Sequence, residues 1–222
     1  MKEREGRGVS KSRYRQRPYP QVWKRIFTGF LFSLLWGYFC PALAGETIRY
    51  ALLPQESRIT FQAQSTLGIF SGTTGQIKGE IIAPLHWEEE TFPAVQATVR
   101  VDPATLDTGI SLRNRDMWKL LEVERYPQIV YRLQTVKQRT RDPATGRLVY
   151  DTVGTLQIHG VTRSIYTVVE VIRQGETIRI SGEKRLRMSG YGITPPTRFL
   201  LLRVRDTVTV QFQIVGRQIA GD

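Results

Sequence analysis

Beyond Ala44 the chain alternates apolar and polar residues with a period of two, in about eight segments. In Ala94–Asp102 the side chains of Val95, Ala97, Val99 and Val101 fall on one side and those of Gln96, Thr98, Arg100 and Asp102 on the other. The same spacing runs through Ile59-Phe61-Ala63, Ile77-Gly79-Ile81, Ile129-Tyr131-Leu133, Ile165-Thr167-Val169-Val171, Ile178-Ile180 and Val208-Val210-Phe212-Ile214. Strands with one apolar and one polar face belong to antiparallel sheets; strands of a parallel sheet, covered on both sides, read as continuous apolar runs. Turn signals separate the segments at Ser71-Gly72, Asp142–Gly146, His159-Gly160 and Gln174-Gly175. The pattern predicts an all-β fold, a small eight-stranded antiparallel β-barrel with hairpin-linked neighbours and room inside.

One segment breaks the period. Between Ser111 and Glu124, Met117, Leu120 and Leu121 stand at i, i+3 and i+4, with Arg and Glu residues opposite. This predicts an amphipathic helix of at most about three turns. Pro127 marks its end, because a proline disfavours helical backbone in the residue before it. Two roles fit such a helix: a plug in one end of the barrel, or a cover over a cavity with Arg113 and Arg115 at its rim.

Residues 1–44 follow other rules. Nine Lys and Arg residues precede an apolar run from Ile26 to Cys40, and Ala42-Leu43-Ala44 follows with small residues suited to a signal peptidase. The run of fifteen residues is shorter than the roughly twenty a membrane-spanning helix needs. The expectation is a secretory signal peptide over 1–44 and one domain over 45–222, with export to the periplasm or beyond. An uncleaved anchor is the alternative. Because the leader also holds Glu3 and Glu5, its loss takes the formal net charge from +12 to +5. A nucleic-acid partner is therefore not expected; the basic strand positions left fit solvated faces or brief contact with acidic lipid headgroups. The one cysteine, Cys40, leaves with the leader, so the domain depends on its core and not on a disulfide.

The catalytic inventory is thin. The two histidines, His86 and His159, lie far apart and without metal-ligand spacing, and there is no nucleophile elbow, phosphate-binding loop or dinucleotide fingerprint. No metal or cofactor is implied. Glu88-Glu89-Glu90 reads as a solvated loop, and His159 as a turn residue whose imidazole caps backbone groups.

Four blocks, in order across nearly all of residues 45–222, resemble the YceI-like family of exported polyisoprenoid-binding proteins. They are Tyr50–Pro54 with Ser57–Phe61; Leu112–Met117 leading to Tyr126–Ile129; Gly154–Arg163, the most specific; and Tyr191-Gly192-Ile193 with Val204–Val208. One departure is Gly190, where many members carry an acidic residue before the aromatic-glycine pair. The resemblance implies a lipocalin-like barrel whose lumen holds the tail of a long isoprenoid or similar amphiphile.

On that reading the lumen candidates are Phe61, Val99, Val101, Met117, Leu121 and Ile129, together with Tyr131, Leu156, Ile158, Ile180, Met188 and Phe212. Each fits a packed core equally well, since alternation does not say which apolar face meets the lumen. Arg113, Arg115, His159 and Tyr191 are candidates for meeting a headgroup. The expected activity is binding without turnover, of a quinone or polyprenyl compound. Two other readings stay open: a filled structural or stress-response barrel with a protein partner, and a cavity enzyme acting on a lipid through His159 or Tyr191. Exposed strand edges or a nonpolar lid would also allow a homodimer.

Overall fold

The computed structural model describes residues 46–90, 93–145, 147–198 and 202–219; the expected leader lies outside them. The strands are β1 (Thr47–Leu52), β2 (Arg58–Ser65), β3 (Gly68–Thr74), β4 (Ile77–Pro84), β5 (Gln96–Val101), β6 (Ile129–Arg141), β7 (Leu148–Ile158), β8 (Val161–Gln174), β9 (Thr177–Arg187), β10 (Thr197–Arg198) and β11 (Leu202–Ile219), and helix α1 is Ser111–Leu120.

Antiparallel pairing runs β1-β4-β5-β6-β7-β8-β9-β11 and returns from β11 to β1, where Arg49 faces Ile219 and Leu52 faces Gly216. Next to this pairing β2 continues β1 along β11, and β3, paired to β2, continues β4. Each of these two pairs acts as one kinked stave, so the closed barrel has eight. At the first kink the buried hydroxyl of Ser57 accepts a hydrogen bond from the Val215 N–H at 3.0 Å, supplying the acceptor that the interrupted strand lacks.

Gly79 shows why certain residues sit in this wall. Its φ of +146° suits glycine, and a β-carbon there would lie 1.9 Å from the Thr98 carbonyl oxygen. Gly72 corrects an expectation. Ser71-Gly72 is not a turn but the interior of β3, where Gly72 faces Phe61 and leaves space for its ring. The hairpin turns instead at Thr66-Leu67, between Ser65, whose hydroxyl accepts from the Leu67 N–H at 3.3 Å, and Gly68, with φ +123°. The His159-Gly160 turn does form, both residues having positive φ, 51° and 75°, as in a type I′ hairpin.

The apolar alternation faces inward. One end of the barrel is packed, with Tyr50, Ile77, Leu148, Ile178 and Ile214 around Trp87 from the β4–β5 connection. The Trp87 indole N–H donates to the Tyr50 hydroxyl at 3.4 Å, and its ring lies 6.1 Å from that of Tyr150. The connection is more firmly held than a solvated loop: the Glu88 carboxylate pairs with Arg173 at 3.2 Å and its carbonyl accepts from Arg139.

Candidate functional site

Against the packed end, whose Tyr50, Trp87, Ile178 and Ile214 help line it, the barrel encloses a cavity of about 1000 Å³, at the upper end of the 300–1000 Å³ range of pockets that bury a drug-sized ligand. Its wall is overwhelmingly apolar. Small inward residues, among them Ala63, Ala97 and Val99, alternate with larger ones such as Phe61, Tyr131 and Phe212 around this volume.

All twelve lumen candidates line this cavity. Phe61, Val99, Val101, Ile129, Tyr131, Leu156, Ile158, Ile180 and Phe212 project from strands; Met117 and Leu121 come from α1 and its C-terminal cap, and Met188 from just beyond β9. Of the headgroup candidates, Arg113 and Tyr191 reach the cavity, whereas Arg115 and His159 lie outside its lining. Arg115 is on the exposed side of α1, two positions from Arg113 and so about 200° around the helix. Arg113 stacks over Phe70, 5.0 Å from the ring centre.

α1 covers the open end, and Asn114 places it. This buried carboxamide donates to Asp107 Oδ1 at 2.7 Å and accepts from the Thr108 N–H at 2.8 Å and hydroxyl at 2.7 Å. The Asn114 bond, with help from the Gly109 N–H, holds the Asp107 carboxyl below the usual carboxylate range. Sequence reasoning missed this residue; an amide flanked by two arginines on a helix reads as solvated.

The helix ends at Leu120, four residues earlier than the apolar pattern suggests, because Glu122 adopts φ +46°. That turn brings Glu122 Oε1 to 3.0 Å from His159 Nε2, while His159 Nδ1 faces the Tyr191 carbonyl oxygen at 3.3 Å. The Tyr126 ring meets the imidazole edge-on at 4.7 Å. The histidine bond keeps the Glu122 carboxyl below its ordinary range. Neither side chain lines the lumen; the pair clasps the α1 turn, the β7–β8 hairpin and the segment after β9 together. His159 thus contacts backbone, as its turn position suggested, and also acquires a carboxylate partner that sequence spacing did not reveal.

A few polar groups interrupt the apolar wall. Burial raises the Tyr131 phenol and pushes that of Tyr150 up to about 12. The Tyr150 hydroxyl and the Thr167 Oγ1 are buried without a protein hydrogen-bond partner, an arrangement unusual enough to suggest a purpose. At the mouth, Leu67 and Ile69 are 82% and 73% exposed, and Ile110 and Leu112 about half exposed, yet all four border the cavity.

The comparisons agree with this architecture. BcnA of Burkholderia cenocepacia superposes with a TM-score of 0.60 at 18% identity, over 74% of this chain and 98% of its own. A polyisoprenoid binding domain from Saccharophagus degradans, implicated in plant cell wall breakdown, gives 0.59 at 19% identity, over 76% and 97%. At such identities the likeness is one of fold. No curated protein matches the chain significantly. The YceI-like domain matches residues 50–216, which takes in the wall, the cover and the clasp just described: the chain belongs to the YceI-like domain family.

Proposed function

We propose that this protein is an exported carrier or store for an isoprenoid-type amphiphile, such as a quinone or a polyprenyl compound, and that it acts by binding without turnover. The observation that carries this reading is the large apolar cavity inside a closed barrel. A tail buried there gains about 0.8 kcal/mol per CH₂, so a few isoprene units supply strong binding with little selection among chains. The family membership and the Saccharophagus degradans polyisoprenoid binding domain support the ligand class. The pattern of residues 1–44 supports export. Native mass spectrometry of protein purified without detergent, followed by organic extraction, tests the reading. A stoichiometric isoprenoid is expected; an empty protein that also refuses added quinone and polyprenyl alcohol would sink it.

The mouth supports a companion reading, transient contact with a membrane. Leu67 and Ile69 form a protruding apolar lip continuous with the cavity wall, and exposed aliphatic clusters of this kind mark binding surfaces. Wild-type protein is expected to float with liposomes of phosphatidylethanolamine and phosphatidylglycerol, and the Leu67→Asp/Ile69→Asp variant to lose most of that association. Equal flotation of the two would remove the lip from the membrane contact.

A further inference from the structure

The ladder that closes the barrel is incomplete along one seam. β8 and β9 form a hairpin whose register runs from Gln174–Thr177 to Val169–Gly182 and stops there. Both strands continue: β8 stays paired with β7 out to Val161, and β9 with β11 out to Arg187. Toward the mouth, residues 161–168 and 183–187 therefore face each other without a ladder. Their facing edges are bridged by side chains. The Lys184 ammonium donates to the Tyr166 carbonyl at 2.6 Å, and Arg163 Nε donates to the Gly190 carbonyl.

The seam opens outward into a second recess of about 450 Å³. Its described lining carries Arg163, Lys184, Arg185 and Arg187 and no carboxylate. Ile165, Lys184, Leu186, Arg187 and Tyr191 border both this recess and the lumen, so the two volumes share the seam as their wall. Lys184 is the unusual member: a charged residue whose alternation with outward Arg185 puts it in the lumen wall. Continuing the register beyond Val169–Gly182 would set it opposite Thr167, which also lines the lumen and whose buried hydroxyl lacks a partner. The nearby acids are engaged elsewhere. Asp206 accepts from the Ser189 N–H and hydroxyl at 2.8 and 2.6 Å and faces Arg187, and Asp151 bonds the Tyr166 phenol.

We propose that this seam is an oxyanion site, taking a phosphate or a similar group in reach of the lumen. Two cations there are held by neutral carbonyl oxygens, weaker partners than an oxyanion, and charge-assisted bonds to phosphate replace them with gain. An amphiphile with an anionic head would place its tail in the lumen and its head between β8 and β9, with Lys184 and Arg163 as ligands and Thr167 donating from inside. The site so described rests on the tail-binding reading for its lipid, but free phosphate carries the same chemistry.

Calorimetry with three probes, farnesol, farnesyl monophosphate and inorganic phosphate, tests it. Wild-type protein is expected to bind farnesyl monophosphate at least tenfold more tightly than farnesol, with the excess falling as salt rises. Gly190→Asp is the informative variant. A β-carbon at Gly190 lies 3.6 Å from Arg163 Nε and meets nothing closer, so the new carboxylate occupies the anion's place without crowding the wall. It should reduce the preference to about one, as should Arg163→Gln/Lys184→Gln, while Lys184→Arg retains it. Thermal unfolding shows in each case that the barrel is folded, and farnesol binding by Gly190→Asp, a position outside the lumen lining, shows that the lumen stays accessible. Inorganic phosphate that binds alongside farnesol, and is lost in the same variants, identifies a free-anion source; a preference seen only with the linked probe identifies a headgroup. No preference in the wild type together with no phosphate binding overturns the site, as does a preference untouched by both variants. Failure of farnesol itself to bind strikes the tail-binding reading instead.

Discussion

Ala97→Trp is expected to lower the affinity for an isoprenoid tail by about a hundredfold while the barrel stays folded. Ala97 projects from β5 into the cavity and faces Ile81 across the β4–β5 ladder. An indole placed there enters existing space instead of displacing packed neighbours, so the overpacking cost of about 1–3 kcal/mol that larger side chains bring to a dense core is largely avoided. It takes the room of about four tail carbons, worth about 3 kcal/mol at 0.8 kcal/mol each, and 1.4 kcal/mol corresponds to a factor of ten in affinity. Titration with farnesol, with thermal unfolding as the control, measures both parts. Undiminished binding with an unchanged melting temperature would mean that the tail does not pass mid-barrel at β5.

Gly79→Ala should have the largest effect on stability. The added methyl group would have to sit 1.9 Å from the Thr98 carbonyl oxygen, and backbone, unlike the end of a flexible side chain, has nowhere to move without breaking the β4–β5 ladder. The φ of +146° adds strain of its own for any residue with a β-carbon. Together these terms come to about 3 kcal/mol or more, which for a domain of this size is a fall of about 6–12 °C in melting temperature. A fall of less than about 2 °C would show that β4 can relax, and that Gly79 is not required where it stands. Gly175 is the natural comparison: its φ is also positive, but a β-carbon there meets no atom within 4 Å. Its alanine variant carries the conformational cost alone.

The two substitutions probe opposite properties of one wall. At Gly79 the chain is packed against backbone with no tolerance. At Ala97, on the strand alongside, the inward side meets empty volume. The two lie on paired strands, Gly79 opposite Val99 and Ala97 opposite Ile81, yet Gly79 is pressed against the backbone beside it while Ala97 borders the cavity.

The strand periodicity was legible from residue types alone, since a two-residue alternation is a local property and names the buried face of each strand without knowledge of its neighbours. So was α1, although its end was not. Glu122 turns left-handed to reach His159, thirty-seven residues away, and no local signal marks that contact. The β2–β3 turn was misplaced because two small-residue signals compete: Ser65 and Gly68 flank the real turn, while Ser71-Gly72 imitates one and instead makes room for Phe61.

The order of apolar and polar residues determined that this chain forms half-buried antiparallel strands and one amphipathic helix, because side-chain direction along a strand or helix follows from backbone geometry. The tertiary structure alone decided that the apolar faces enclose space instead of filling it, since whether inward side chains meet depends on the diameter and tilt of the closed ring. It also decided which charges share a site. Arg163, Lys184 and Arg187 look like solvated strand positions in the sequence, and only the early end of the β8–β9 ladder gathers them around one recess that shares a wall with the lumen.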